Sequence, residues 1–195
     1  MKVMKISMIL LAMAALAQNL NADAFSAAFV QAPTGVKNGG QQVGAPGTGG
    51  VWNVHGYPYA NIGGSFDPKN GVFVVPKDGF YHLDAKVLID VAIANAPNQN
   101  ANIQIVSCPA GNTCDNPCSD QEPAVILQQG GETWLGFGFT FAFPPNYALS
   151  ASFNGLLNKG DKVAVCVDNW AADNAINTNC VDRRGCTFSG FSVNK

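Results

Sequence analysis

Charge is scarce in this chain. Asp, Glu, Lys and Arg make up only 12% of its 195 residues, and the formal net charge is −2. Basic residues never cluster beyond the pair Arg183-Arg184. That excludes a surface built to neutralise nucleic-acid phosphates. Histidine is rarer still, with only His55 and His82, and no Gly-x-Ser-x-Gly elbow occurs. Nucleophilic hydrolysis of that kind therefore has no support, and the chain is expected not to be an enzyme. Helical periodicity is missing after the first 24 residues, and the glycines of residues 33–50 are too irregularly spaced for a collagen repeat. What remains is a chain that is 47% hydrophobic, which excludes a solvated disordered tail. A domain of this length buries roughly 70% of its unfolded surface, so its core does not depend on covalent support.

Residues 1–24 read as an export signal. Lys2 and Lys5 precede an apolar run over residues 6–16, which is long enough for a signal core and too short to span a bilayer. Two small-residue exits follow, Ala15-Leu16-Ala17 and Ala22-Asp23-Ala24. The second is preferred, because the polar residues 18–21 then leave with the peptide. The expected mature domain is 25–195, secreted and extracellular. Loss of Lys2, Lys5 and Asp23 takes its net charge from −2 to −3. No Cys follows the apolar run, so no lipid anchor is expected.

In an exported chain, cysteines read first as disulfides. Cys108, Cys114 and Cys118 form one cluster; Cys166, Cys180 and Cys186 form another. A metal site is the weaker reading, since Cys114-x3-Cys118 has no His nearby and no metal is expected. Three cysteines cannot all pair among themselves. If all six pair within one chain, at least one bridge must join the two clusters.

The rest of the chain reads as strands. In residues 81–93, Tyr81, Leu83, Ala85, Val87, Ile89, Val91 and Ile93 share one face, and His82, Asp84, Lys86 and Asp90 the other. Only Leu88 and Ala92 break the alternation of this long, half-buried antiparallel strand. Shorter strands are expected at 51–54, 72–75, 102–107, 147–153, 162–167 and 187–193, with Gly and Pro between them. In residues 134–143, Leu135, Phe137, Phe139, Phe141 and Phe143 form a core face. Gly136 and Gly138 lie opposite, where only the close approach of another surface favours glycine. Residues 33–50 read as a flexible surface loop. Many short strands and no helix predict an all-β sandwich or jelly roll.

One stretch, Gly71-Val72-Phe73-Val74-Val75-Pro76-Lys77-Asp78-Gly79-Phe80-Tyr81-His82-Leu83, resembles the signature of complement C1q globular heads. Three further landmarks agree in order. Ala24-Phe25-Ser26-Ala27 resembles that family's opening strand. Leu157-Asn158-Lys159-Gly160-Asp161-Lys162-Val163 resembles its Gly-Asp turn, and Phe188-Ser189-Gly190-Phe191-Ser192-Val193 its closing strand. The resemblance implies a ten-stranded jelly-roll β-sandwich of the C1q/TNF type, assembled as a homotrimer. It implies no single ligand. The chain departs from the pattern in lacking a collagen stalk and in its longer segment 108–145.

The expected function is that of a secreted recognition module engaging a glycan, protein or cell surface. The alternative is a structural or adhesive subunit of an extracellular surface assembly. Core strands are committed to packing, so recognition falls on the loops 33–50, 55–65, 109–123 and 169–185. Cysteines anchor the last two, which lowers the ordering cost on binding. Trp170, Asp168, Asp173, Asp182, Arg183 and Arg184 are the candidate contacts, with Trp170 able to stack on a sugar or fill a protein pocket. A structural Ca²⁺ on Asp168, Asp173 and Asp182 is the one cofactor to weigh, because some relatives carry the ion. Their spacing is not that of an EF-hand, and solvated loop carboxylates are expected instead. Trp52, His55, Tyr57 and Tyr59 read as ordinary loop packing.

Overall fold

The structure is a computed structural model that describes residues 23–29, 41–43, 52–53, 60–90, 99–114, 117–118, 123–134, 146–169, 177–178 and 186–193. Among them the regular elements are all strands. They are β1 (Ala24–Phe29), β2 (Gln41–Gln42), β3 (Trp52–Asn53), β4 (Ala60–Ile62), β5 (Phe66–Asp67), β6 (Val72–Val74) and β7 (Gly79–Asp90). There follow β8 (Gln99–Cys108), β9 (Val125–Trp134), β10 (Asn146–Leu157), β11 (Lys162–Asn169), β12 (Asn177–Thr178) and β13 (Thr187–Val193).

The alternation read from the sequence sets the faces. β7 buries Tyr81, Leu83, Ala85 and Val87 and leaves Phe80, Asp84 and Lys86 exposed. It sits between β10 and β13 in a sheet of order β10-β7-β13-β1-β3, with β12 on β7 and β4 on β1. The second sheet runs β5-β6-β11-β8-β9, with β2 on β11. Strands distant in sequence thus lie side by side, which is jelly-roll connectivity. The main path of each sheet holds five strands, in agreement with the ten-stranded jelly roll expected.

Between the sheets, Phe25 stacks on Phe66 and Phe73, each at a centroid distance of 4.8 Å, and meets Phe188 edge-on at 4.8 Å. Aromatic pairs of this geometry add to the area they bury. Tyr81 is fully buried and edge-on to Phe73 at 5.8 Å. Its hydroxyl donates to the Lys77 carbonyl at 2.9 Å, which supplies the polar partner that a buried phenol needs. Burial, followed by the negative charge of Asp23, raises its pKa. From the other sheet come Ile103, Ile105, Val163, Val165 and Val167, all fully buried.

The Gly-Asp turn between β10 and β11 is a clamp. Asp161 is buried, and its carboxylate accepts from the N–H groups of Ala110 at 3.0 Å and Asn158 at 2.9 Å. Its main-chain oxygen accepts from Val75 N–H at 2.9 Å, while Gly160 N–H donates to Val75 at 2.8 Å. Gly160 sits at φ 88°, a left-handed conformation that glycine adopts without steric cost. Three segments distant in sequence are joined at this point.

Two bridges tie the outer side of the second sheet. Cys108 pairs with Cys114, and Cys118 pairs with Cys166 across a sequence separation of 48. The second bridge joins the two cysteine clusters. Cys118 and Cys166 pack there with Val106 and Ala164. Cys186 is also disulfide-bonded; Cys180 lies outside the described residues.

Several expectations change. Residues 33–50 are not wholly loop: β2 pairs with β11, and Val43 is buried with its N–H donating to Val165 at 2.8 Å. A single Val among glycines is enough to seat the segment on the sheet. β9 was not expected as a strand over most of its length, because Gln128-Gln129-Gly130-Gly131-Glu132 has little β character; pairing with β8 imposes it. The expected domain start at Phe25 falls inside β1. Ala24 pairs with Phe191 and Ile62, and the Asp23 carbonyl accepts from Ser192 N–H at 2.9 Å. Residues 135–143, with Gly136 and Gly138, lie outside the described residues. Within β9, a Cβ on Gly130 would stand 2.0 Å from the Ser150 carbonyl oxygen of β10.

Candidate functional site

The outward face of the β10-β7-β13-β1 sheet carries the most informative surface. Register places its side chains in cross-strand rows. The first row is Leu156, Phe80 and Val193. The second is Asn154, His82, Phe191, Ala24 and Ile62. The third is Ser152, Asp84, Ser189, Ser26 and Ala60, and the fourth includes Ser150, Lys86 and Thr187.

The first row, and the second from Phe191 to Ile62, are apolar where a solvated sheet face is usually polar. Leu156 is 77% exposed, Ile62 57%, Phe191 47%, Val193 43% and Phe80 40%. Together they form a patch on the order of 500 Å², at the upper end for a monomer surface. At the end of β13 the pattern is inverted: Phe191 and Val193 face out, while Ser192 is buried with its hydroxyl unpartnered among the described residues. A strand under fold selection alone would do the reverse. In the third row the small side chains of Ser152, Ser189 and Ser26 flank Asp84, and Lys86 stands in the fourth.

His82 lies at the border between the apolar and polar rows. Its Nδ1 is 2.7 Å from Asn154 Oδ1, and its Nε2 is 2.5 Å from Asp84 Oδ2. The Ser152 hydroxyl donates to the other Asp84 oxygen. The imidazole also lies 5.0 Å from the Phe191 ring. Both ring nitrogens face oxygen acceptors, which only the charged imidazolium satisfies with two N–H donors. The Asn154 bond raises the His82 pKa most; partial burial opposes it, and the bond and charge of Asp84 add to it.

This chain of groups is not a nucleophile with its base. The Ser152 hydroxyl donates its hydrogen bond to Asp84, and the far side of the ring faces an amide, so no hydroxyl is activated by the imidazole. Among the described residues, no group of three His, Cys, Asp or Glu side chains is placed to hold a metal ion. No helix among them is long and apolar enough to cross a membrane.

Of the loop residues expected to bind, Asp168 has its backbone in β11, opposite Asn102 of β8. Trp170, Asp173, Asp182, Arg183 and Arg184 lie outside the described residues. The outward apolar row was missed because His82, Asp84 and Lys86 made the β7 face look solvated. The signal available was at the strand ends, where Phe80, Phe191 and Val193 take the positions of the polar series.

No protein-family model matches the chain, and no curated protein does. Solved structures do. Murine APRIL aligns over 89% of this chain and 100% of its own at TM-score 0.54 and 10% identity. Eiger TNF from S. frugiperda aligns over 89% and 94% at TM-score 0.52 and 13% identity. The globular domain of zebrafish complement 1qA covers 89% and 98% at 0.46 and 16% identity. At these identities the likeness is one of fold. The chain is an all-β protein whose jelly-roll fold is similar to those of APRIL and Eiger TNF.

Proposed function

We propose that the protein is an exported, non-enzymatic recognition module that works as a homotrimer and binds a glycan, protein or cell surface through its loops. The apolar rows of Leu156, Phe80, Val193, Phe191 and Ile62 carry the assembly half of this reading. Further copies of the chain are the occupant that suits them. Among the described residues the rows of this face hold, besides His82, one acidic and one basic side chain, Asp84 and Lys86, two positions apart on one strand. Asp84 thus offsets a positive charge of the face, which limits the repulsion that a second copy meets. The serines of the third row, Ser152, Ser189 and Ser26, leave room for another surface to approach there. The trimeric number rests on the C1q/TNF fold type.

Loop recognition keeps Trp170, Asp168, Asp173, Asp182, Arg183 and Arg184 as contacts, with the 109–123 loop shaped by the Cys108–Cys114 and Cys118–Cys166 bridges. Export rests on the first residues of the chain. Because Asp23 and Ala24 belong to the sheet, Ala15-Leu16-Ala17 is the cleavage pattern that leaves β1 whole.

Sedimentation tests the assembly half. The secreted protein is expected at three times the chain mass, and Leu156→Lys with Phe191→Lys at the mass of one chain, with unchanged far-ultraviolet circular dichroism. A wild-type monomer at every concentration overturns the reading. Open-ended polymers favour the alternative, a structural subunit of a surface assembly. Trp170→Ala is expected to weaken glycan-array or cell binding without changing that mass.

A further inference from the structure

The same face contains a group that titrates near neutrality, in a place where closing the face removes its water. We propose that the chain of bonds Asn154–His82–Asp84–Ser152 makes subunit association pH-dependent, the face closing preferentially around the charged form of His82. This rests on the assembly reading above.

The argument starts from hydrogen-bond capacity. A neutral imidazole has one N–H and one lone pair. With Asn154 Oδ1 at 2.7 Å from one nitrogen and Asp84 Oδ2 at 2.5 Å from the other, the neutral ring must turn its lone pair toward an oxygen. On an open face, water repairs that mismatch, since His82 is 26% and Asp84 51% exposed in their side chains. Beneath a closed face, flanked by Phe80, Leu156, Val193 and Phe191, water is excluded and the mismatch persists. Charge balance acts in the same direction. Imidazolium beside carboxylate is net neutral, whereas a neutral ring, even when its one N–H points to Asp84, leaves the carboxylate charge without an opposite charge beside it.

The surroundings hold few competing charges. From β7 itself come Asp84 and, one row further, Lys86, which stays protonated throughout the neutral range. β10 presents Ser150, Ser152, Asn154 and Leu156, and β13 presents Thr187, Ser189, Phe191 and Val193. β1 and β4 add Ala24, Ser26 and Ile62. A second copy brings the same set. Among the described residues of this face, His82 is thus the side chain whose ordinary titration range lies nearest neutrality.

The sign follows from linkage. Closure favours protonated His82, so its pKa is higher in the assembly than in the free subunit. Association is strongest below the free-subunit pKa and weakens as pH rises through the assembled one. The orientation of the Asn154 amide decides the matter. With Nδ2 turned to the ring, Asn154 would donate to a neutral nitrogen and the preference for charge would fall.

The test is sedimentation equilibrium of the secreted protein between pH 6 and pH 8.5. The trimer association constant is expected to fall at least tenfold, and His82→Gln to abolish the slope. The chain has only two histidines, so a His55→Gln control retaining the slope assigns it to His82. Should His82→Gln fail to fold, ring titration by nuclear magnetic resonance in the His55→Gln protein replaces it. A higher pKa in the trimer than in a monomer made with uncharged changes away from the ring, Leu156→Gln with Val193→Gln, is then expected. A trimer of constant strength across this range, equal ring pKa values, or a slope that survives His82→Gln overturns this inference and leaves assembly standing. Absence of any trimer overturns both.

Discussion

Replacing Asp161 by Ala removes two acceptors without touching the main-chain bonds that Asp161 and Gly160 make to Val75. The lost partners are the N–H groups of Ala110 and Asn158. A hydrogen bond to a charged group contributes about 1.5–3 kcal/mol. Ala110 and Asn158 lie at the surface, so water recovers part of each bond once the carboxylate is gone. The net loss is therefore about 2–4 kcal/mol. For a chain of this size that lowers the thermal midpoint by roughly 5–15 °C. Asp161→Asn keeps one acceptor oxygen and is expected to lose about half as much. Urea and thermal unfolding followed by circular dichroism measure both, at one fixed protein concentration because assembly itself shifts the midpoint. A loss below about 0.5 kcal/mol for Asp161→Ala, the range of an ordinary surface change, refutes the clamp.

The two described disulfides should differ in value. Loop-closure entropy assigns about 4 kcal/mol to Cys118–Cys166, with its separation of 48, and about 2 kcal/mol to Cys108–Cys114, with its separation of 6. Paired Cys→Ala variants in urea check the order, and equal losses refute it. Gly130→Ala places a methyl against the Ser150 carbonyl oxygen, and forcing β9 from β10 should cost about 1–3 kcal/mol. A variant as stable as wild type shows that the sheets are free to part there.

Legibility followed the range of the interactions. β7 and β13 were readable because alternation is local, and residues 187–193 are the strand observed. The Gly-Asp turn was visible as a resemblance, but not as a clamp, since Ala110 is 51 residues from Asp161. β9 was hidden for the same reason: its pairing with β8 spans a long loop, and its own residues do not favour a strand. The candidate face stayed hidden although every residue in it could be seen. Leu156, Phe80 and Val193 become one row only once the registers of β10, β7 and β13 are known. Alternation shows which side a residue faces but not its neighbours on the adjoining strand.

The pairing of β1 with β13 has a mechanical consequence. Ala24 lies opposite Phe191, and Asp23 holds Ser192, so the chain enters and leaves the sheet at the same end, side by side. Tension applied between Asp23 and Val193 meets these bonds one at a time and peels the strands apart, instead of loading the whole ladder in shear. A tether at either point would hold the same end of the sandwich toward its support and leave the opposite end outermost. Joining the two points by a short linker and reopening the chain at an exposed turn elsewhere would preserve every strand neighbour.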